Sequence, residues 1–293
     1  MAISRKYQGI VAITISALGF AGMNFFVRLS GDLPSMQKVL FRNAVSLVVS
    51  FIMLMRDGDT YRGMDGKSWL LLFLRSLFGG VSIFAFFYAI DHMVISDATM
   101  LNNMSSFFTL TFSFIFLKEK ISWKQAVLIL GAFLGSLFIV KPQGIGTEDF
   151  FPALMGLLSG IGTGVAMTSL RALGKRGVKG PKIIFAFSLF SLLITLPFAI
   201  PVFVPMTWKQ VVCLLLAGAC ATVGQFGVTI GYRLAPGREI SIYEYTNVIF
   251  SALLGFVFLG QIPDRYSIMG YIIIFAMAFL MFLYTKRHGD QQG

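Results

Sequence analysis

Long apolar runs divided by short polar punctuation set the pattern of this chain. The runs fall at about 7–29, 36–55, 68–90, 97–117, 122–140, 152–172, 183–204, 208–231, 240–259 and 265–284. Each is long enough to cross roughly 30 Å of hydrocarbon as a helix rising about 1.5 Å per residue. The breaks carry turn formers and charge: Gly31-Asp32-Leu33-Pro34, Arg56-Asp57-Gly58-Asp59, Lys141-Pro142-Gln143-Gly144, Arg176-Gly177-Val178-Lys179-Gly180-Pro181 and Pro236-Gly237. The pattern predicts an all-α integral membrane protein with ten transmembrane helices. The first run follows Arg5-Lys6, as the core of a signal peptide would. Its length, and the polar Asn24 and Arg28 within it, predict an uncleaved anchor instead.

The pattern also repeats. Phe116-Leu117-Lys118-Glu119 recurs as Phe258-Leu259-Gly260-Gln261, 142 residues on, and Ser16, Gly19 and Arg28 recur as Ser159, Gly162 and Arg171, 143 residues on. The chain reads as one five-span unit used twice, residues 1–146 and 147–293. Five crossings are an odd number, so the second copy must be inverted relative to the first, an arrangement found in secondary transporters that alternate access.

Composition excludes a soluble fold. The 293 residues are 56% hydrophobic and 13% charged, with 31 Phe and a mean hydropathy of +0.79. The net charge of +11 sits in the connections between runs, so it reads as membrane orientation and not as a nucleic-acid surface. Seventeen of the 24 Lys and Arg fall on the side that holds both termini, five fall on the other, and Arg42 and Arg75 lie within spans. That bias predicts cytoplasmic termini. Cys213 and Cys220, seven apart in one run, suit packing and form neither a disulfide framework nor a metal site.

The chemistry-bearing residues are few. Glu244 lies a few residues into the ninth run between Tyr243 and Tyr245. A carboxylate at membrane depth faces a partner or a pathway. It suits a salt bridge to Arg75, a counter-charge for a cationic or zwitterionic substrate, or a proton site. In the repeat Asn102 stands where Glu244 stands, and Asp97 aligns with Glu239 at the start of its span, where capping explains both acids. Arg42, near Asp97 in depth, suits either an ion pair that locks the bundle or a grip on a substrate carboxylate. Tyr88 and Tyr232 occupy equivalent places in the two copies. With Tyr245 they suit either an interfacial belt or a cation–π pocket. Asn102, Asn103, Asn247 and Gln225 add hydrogen-bonding groups within spans, and Arg75 and Asp97 are candidates for structural or gating ion pairs. Recurrent glycines at helical spacing, such as Gly156, Gly160 and Gly164, suit close helix contact. There is no Walker A pattern, no HExxH and no potassium-filter sequence, so no cofactor or metal is expected.

At these residues the chain resembles the EamA branch of the drug/metabolite transporter superfamily. The marks are Ser16-Ala17-Leu18-Gly19-Phe20 with Asn24, Phe41-Arg42, Leu117-Lys118-Glu119, Glu244-Tyr245-Thr246 and Phe258-Leu259-Gly260. The Glu-Tyr-Thr element is similar to a subgroup that includes transporters for S-adenosylmethionine and riboflavin. Gln261 departs from the usual Glu and Ser106 from a frequent Pro. The resemblance implies a central cavity between two five-span repeats, opening alternately to each side.

The expectation is therefore a secondary transporter of the cytoplasmic membrane for a small amino-acid-like, zwitterionic or cationic metabolite, and not an enzyme. Its partners would be the lipid bilayer, the substrate and a coupled proton or other ion, with monomer and homodimer both open. A membrane enzyme acting on a lipid-linked substrate and a bundle that moves nothing stand as alternatives. The first would need clustered acids, and the second leaves the inverted repeat without a use.

Overall fold

The computed structural model describes residues 5–57, 61, 64–117, 122–140, 150–234 and 241–289. The elements are α1 (Arg5–Leu29), α2 (Ser35–Asp57), α3 (Gly66–His92), α4 (Ile95–Asn103), α5 (Ser105–Leu117), α6 (Trp123–Val140), α7 (Phe150–Lys175), α8 (Gly180–Ala199), α9 (Trp208–Leu234), a 3₁₀ turn (Ser241–Tyr245), α10 (Thr246–Leu259) and α11 (Arg265–Gly289). No strand occurs among the described residues. Eight of the helices are long and apolar enough to cross a bilayer. The remaining two crossings are broken ones: α4 followed by α5, and the 3₁₀ turn followed by α10. Ten traversals place residues 5 and 289 on one side, called here the terminal face; the other is the far face.

Local chemistry sets the helix ends. Ser122 and Gln125 bond each other's backbone N–H at the start of α6, and Thr207 and Gln210 do the same before α9. Both are capping boxes that satisfy donors left over at a helix N-terminus. Asp65 caps α3 by accepting from the Ser68 N–H. α10 stops at Gly260, whose φ of 63° suits a residue without Cβ. The three tryptophans, Trp69, Trp123 and Trp208, all lie exposed in the first turns of α3, α6 and α9. Such positions suit an indole at the headgroup level.

Two expectations need correction. The seventh run, read to residue 204, leaves the helix at Ala199. Ile200 keeps helical backbone as the C-cap, Pro201 follows it, and the Val204 backbone pairs with the Gln37 side chain. The fourth run is not one helix. It breaks at Met104, whose N–H bonds the Leu101 carbonyl at 3.2 Å in a tighter i to i−3 turn. The ninth run changes from 3₁₀ to α at Tyr245–Thr246, which is 142 residues beyond the first break and so in the same register as the repeat.

Helix packing follows a pattern that survives exchange of the first five crossings with the last five. α1 packs on α9 and α3 on α7, while α2 packs on α8 and α6 on α11. The contacts correspond in detail. A Cβ at Gly19 would meet the Cys220 carbonyl and Gly224, and one at Gly162 would meet the Phe78 carbonyl and Ser82. Ser16 donates to the Gly224 carbonyl, and Ser82 donates to the Ser159 carbonyl, each at 2.7 Å. Large apolar side chains face outward, as Phe116, Leu130, Leu253 and Phe256 do, while serines and small residues line the helix contacts. In lipid, small residues and interhelical hydrogen bonds supply association that the hydrophobic effect cannot.

Candidate functional site

Two arginines sit in the middle of the bundle. Arg42 lies about 10 Å along α2 from the far end, and Arg75 about 14 Å along α3 from the terminal end. Arg42 is 2% exposed and Arg75 4%. Both guanidinium groups lie against the ring of Phe187 of α8, their Cζ atoms 5.5 and 4.2 Å from its centroid. Arg42 also donates to the Asn43 side-chain oxygen at 2.7 Å. The Nε of each arginine has no hydrogen-bond partner, and no carboxylate pairs with either among the described residues. The ring face and the neighbouring dipoles are all that offset two buried positive charges.

Beside Arg75 is a cavity of about 50 Å³ lined by Arg75, Ser82, Thr163, Phe187 and Gln225, with Gly79, Ile83, Ala166 and Met167. A Cβ at Gly79 would collide with Arg75 Nη1, so the missing side chain makes room for the guanidinium. The cavity opens onto a polar seam. Asn102 donates to the Ser159 and Thr163 hydroxyls at 3.0 and 3.3 Å, and Thr163 pairs with Ser82. Thr163 thus belongs to both the seam and the cavity.

A second seam lies between α1, α4 and α10. Asn24 donates to Thr99 and Ser251, and Ser251 donates to Asn247. Tyr245, 3% exposed, donates to the Asn103 carbonyl at 3.3 Å and packs edge-on to Phe275. Glu244 is half-buried and accepts from Ser106 at 3.4 Å. The serine that replaces a frequent proline of the resembled family is therefore a partner of the intramembrane acid.

The far face is closed by polar contacts. Lys38 Nζ lies 2.6 Å from Asp91 Oδ1, Arg28 donates to the Ile90 carbonyl, and Gln210 donates to the Ser30 carbonyl. Tyr271 of α11 donates to Asp97 and pairs with the Ser96 hydroxyl. Gln261 accepts from the Ile95 N–H at 3.1 Å, capping α4 from the end of α10. At the terminal face Asp65 and Arg176 form an ion pair of 2.6 Å beside a groove of about 390 Å³ that also touches Ser68 and Lys182.

These placements gather some of the expected residues and scatter others. Arg42 and Arg75 come together at Phe187, and Asn102 reaches the cavity wall. The Arg75–Glu244 salt bridge, one of the readings open for the acid, does not form: Arg75 lies against Phe187 and Glu244 accepts from Ser106. The expected Arg42–Asp97 pair does not form either, since Arg42 bonds Asn43 and Asp97 accepts from Tyr271. Tyr88 stacks on His92 and meets Phe151 at the far end of α3, about 20 Å along the helix from Arg75. The Tyr232 side chain and Glu239 lie outside the described residues. Phe187, Thr163 and the Lys38–Asp91 pair were not anticipated. Lys38, charged and one turn inside a span, was the available signal for the last of these.

Comparison with known proteins shows the family and the fold. A model of the EamA-like transporter family matches twice, over residues 7–141 and 151–283. The pseudopaline exporter CntI of Pseudomonas aeruginosa is 30% identical over 276 residues, 94% of this chain and 95% of that relative. Mouse solute carrier family 35 member G1 is 25% identical, over 91% of this chain and 76% of the relative. An S-adenosylmethionine uptake transporter of Rickettsia bellii is 21% identical, over 68% of this chain and 67% of the relative. A solved crystal structure shares the fold with a TM-score of 0.62 at 16% identity, covering 93% of this chain and 98% of its own.

Proposed function

Because the chain belongs to the EamA-like transporter family, we propose that it moves a small amino-acid-like metabolite across the cytoplasmic membrane by alternating access. The observation that carries this reading is the cavity walled by Arg75, Ser82, Thr163 and Gln225 inside an apolar bundle. Ionisable groups at membrane depth are costly and mark pathways. Family membership and transporter-named relatives already place the chain among transporters rather than enzymes.

At about 50 Å³ the cavity has room for one or two waters, well short of the roughly 300 Å³ at which ligand sites begin. Transport therefore requires the helices to part. In this reading residues 1–146 and 147–293 are inverted halves that rock across the α1–α9 and α3–α7 contacts, with both termini cytoplasmic. A zwitterion fits better than a pure cation, which two unpaired guanidinium groups would repel. Arg42 and Arg75 supply the positive side of the site, Glu244 beside Tyr245 the negative side or a coupled proton, and Asn102 and Asn247 hydrogen bonds.

The test is counterflow in proteoliposomes preloaded with single amino acids, followed with the labelled compound outside. Glu244→Gln is expected to slow exchange at least about tenfold while the protein stays folded. Undiminished exchange by that variant would remove Glu244 from the site. No exchange with any amino acid or amine by the unaltered protein would sink the amino-acid-like substrate.

A further inference from the structure

We infer that the substrate is a small organic anion bearing two carboxylates, held at the Arg42–Phe187–Arg75 cluster. This deepens the transport reading and rests on it. A buried guanidinium without an acid is tolerated only when something else supplies the countercharge. Both arginines are more than nine-tenths buried, each leaves its Nε unpartnered, and no carboxylate pairs with either among the described residues. Elsewhere the fold does provide one: buried Lys38 has Asp91 at 2.6 Å.

Geometry points to the same class. The two guanidinium carbons lie 5.5 and 4.2 Å from one ring centroid, so they are within about 10 Å of each other. That separation lies within the reach of two carboxylates on a chain of a few carbons. Arg75 already lines the cavity next to Gln225, whose side-chain amide can donate to a remaining carboxylate oxygen, with Thr163 and Ser82 alongside. A planar guanidinium pairs with a carboxylate through two parallel hydrogen bonds, which a compact ammonium cannot do. The missing side chain at Gly79 gives the Arg75 guanidinium its place beside the cavity. The site thus has two positive charges, a hydrogen-bond donor in Gln225 and no acid paired with either arginine among the described residues.

The test is thermal unfolding of purified protein in detergent, read with a thiol-reactive dye on Cys213 and Cys220, which are buried and half-buried in α9. Probes are succinate, L-glutamate, L-alanine, choline, chloride and inorganic phosphate at matched ionic strength. Succinate or L-glutamate is expected to raise the midpoint in a saturable way, with L-alanine at least about tenfold weaker and choline without effect. Arg75→Gln and Arg42→Gln should each weaken the dicarboxylate at least about tenfold. Neither should lower the midpoint of the ligand-free protein, since each removes an unpaired buried charge. Gly79→Ala, which keeps both charges but displaces the guanidinium, should weaken binding too.

Equal responses to L-alanine and L-glutamate would overturn the second carboxylate. Equal responses to chloride or phosphate would reduce the cluster to a nonselective anion site, and a response to choline alone would reverse the assignment. Dicarboxylate affinity unchanged in Arg75→Gln would place the ligand elsewhere. Counterflow separates the two readings. Binding at the arginines without exchange defeats transport and leaves only the dicarboxylate site standing, whereas exchange of a substrate without a carboxylate upholds transport and overturns this inference.

Discussion

The Tyr245 hydroxyl donates to the Asn103 carbonyl, and these two residues are 142 positions apart, the offset of the internal repeat. Each stands at the break in its own crossing, so the two irregular helices are tied to each other at equivalent points. Tyr245→Phe removes the donor and leaves a carbonyl in a low-dielectric setting. The expected loss is about 1 kcal/mol of stability, measured by thermal unfolding in detergent. No change would mean that another group takes over the carbonyl.

Lys38 and Asp91 form a 2.6 Å ion pair at the far face, with the lysine side chain wholly excluded from solvent. Asp91→Asn strands a buried ammonium and should cost about 3 kcal/mol, whereas Lys38→Met combined with Asp91→Leu should recover most of that. Unfolding midpoints of the single and double variants decide it. A double variant as weak as Asp91→Asn would assign the cost to packing.

Close helix contact separates the glycines. A Cβ at Gly19 would stand 2.9 Å from the Cys220 carbonyl, and one at Gly160 2.6 Å from the Leu101 carbonyl; at Gly174 nothing lies within 4 Å. Gly19→Ala and Gly160→Ala should each destabilise by about 1–3 kcal/mol because backbone must move. Gly174→Ala should be neutral or gain up to about 1 kcal/mol from helix propensity. Matched thermal scans of the three test this ordering.

Asp65 lies outside the spans, and its carboxyl is held below the ordinary 3.8, first by the Ser68 hydroxyl and then by Arg176. A depressed acid adds stability that is complete above its unfolded value and lost as pH falls through the folded one. The advantage over Asp65→Asn should thus hold steady above about pH 4 and shrink below it. Ser68→Ala should shrink that pH-dependent advantage more than Arg176→Ala does. Unfolding midpoints from pH 6 to 3 give the comparison, and a difference independent of pH would refute the assignment.

The crossings were legible because lipid demands long apolar helices, and their ends because Gly, Pro and capping residues mark them. The break at Met104 was not, because the polar stretch Asn102-Asn103-Met104-Ser105-Ser106 holds no Gly or Pro to mark a break and is flanked by long apolar runs; the Tyr245 bond to the Asn103 carbonyl lies beside it. Span-depth reasoning found Arg42 and Arg75 but paired them with acids. Depth places a residue along the membrane normal and says nothing of its direction around the helix. The partner shared by both, Phe187, is one of 31 phenylalanines and carries no mark of its own.

The three tryptophans crown helix starts at the rim of the bundle, and the arginine cluster has only a phenylalanine beside it. Intrinsic emission of this protein therefore reports the surrounding amphiphile and is blind to the centre. Nitroxide-labelled lipids should quench it strongly, while a compound entering the cavity leaves its spectrum still. That optical silence leaves the interior available for a single introduced fluorophore to be read without background.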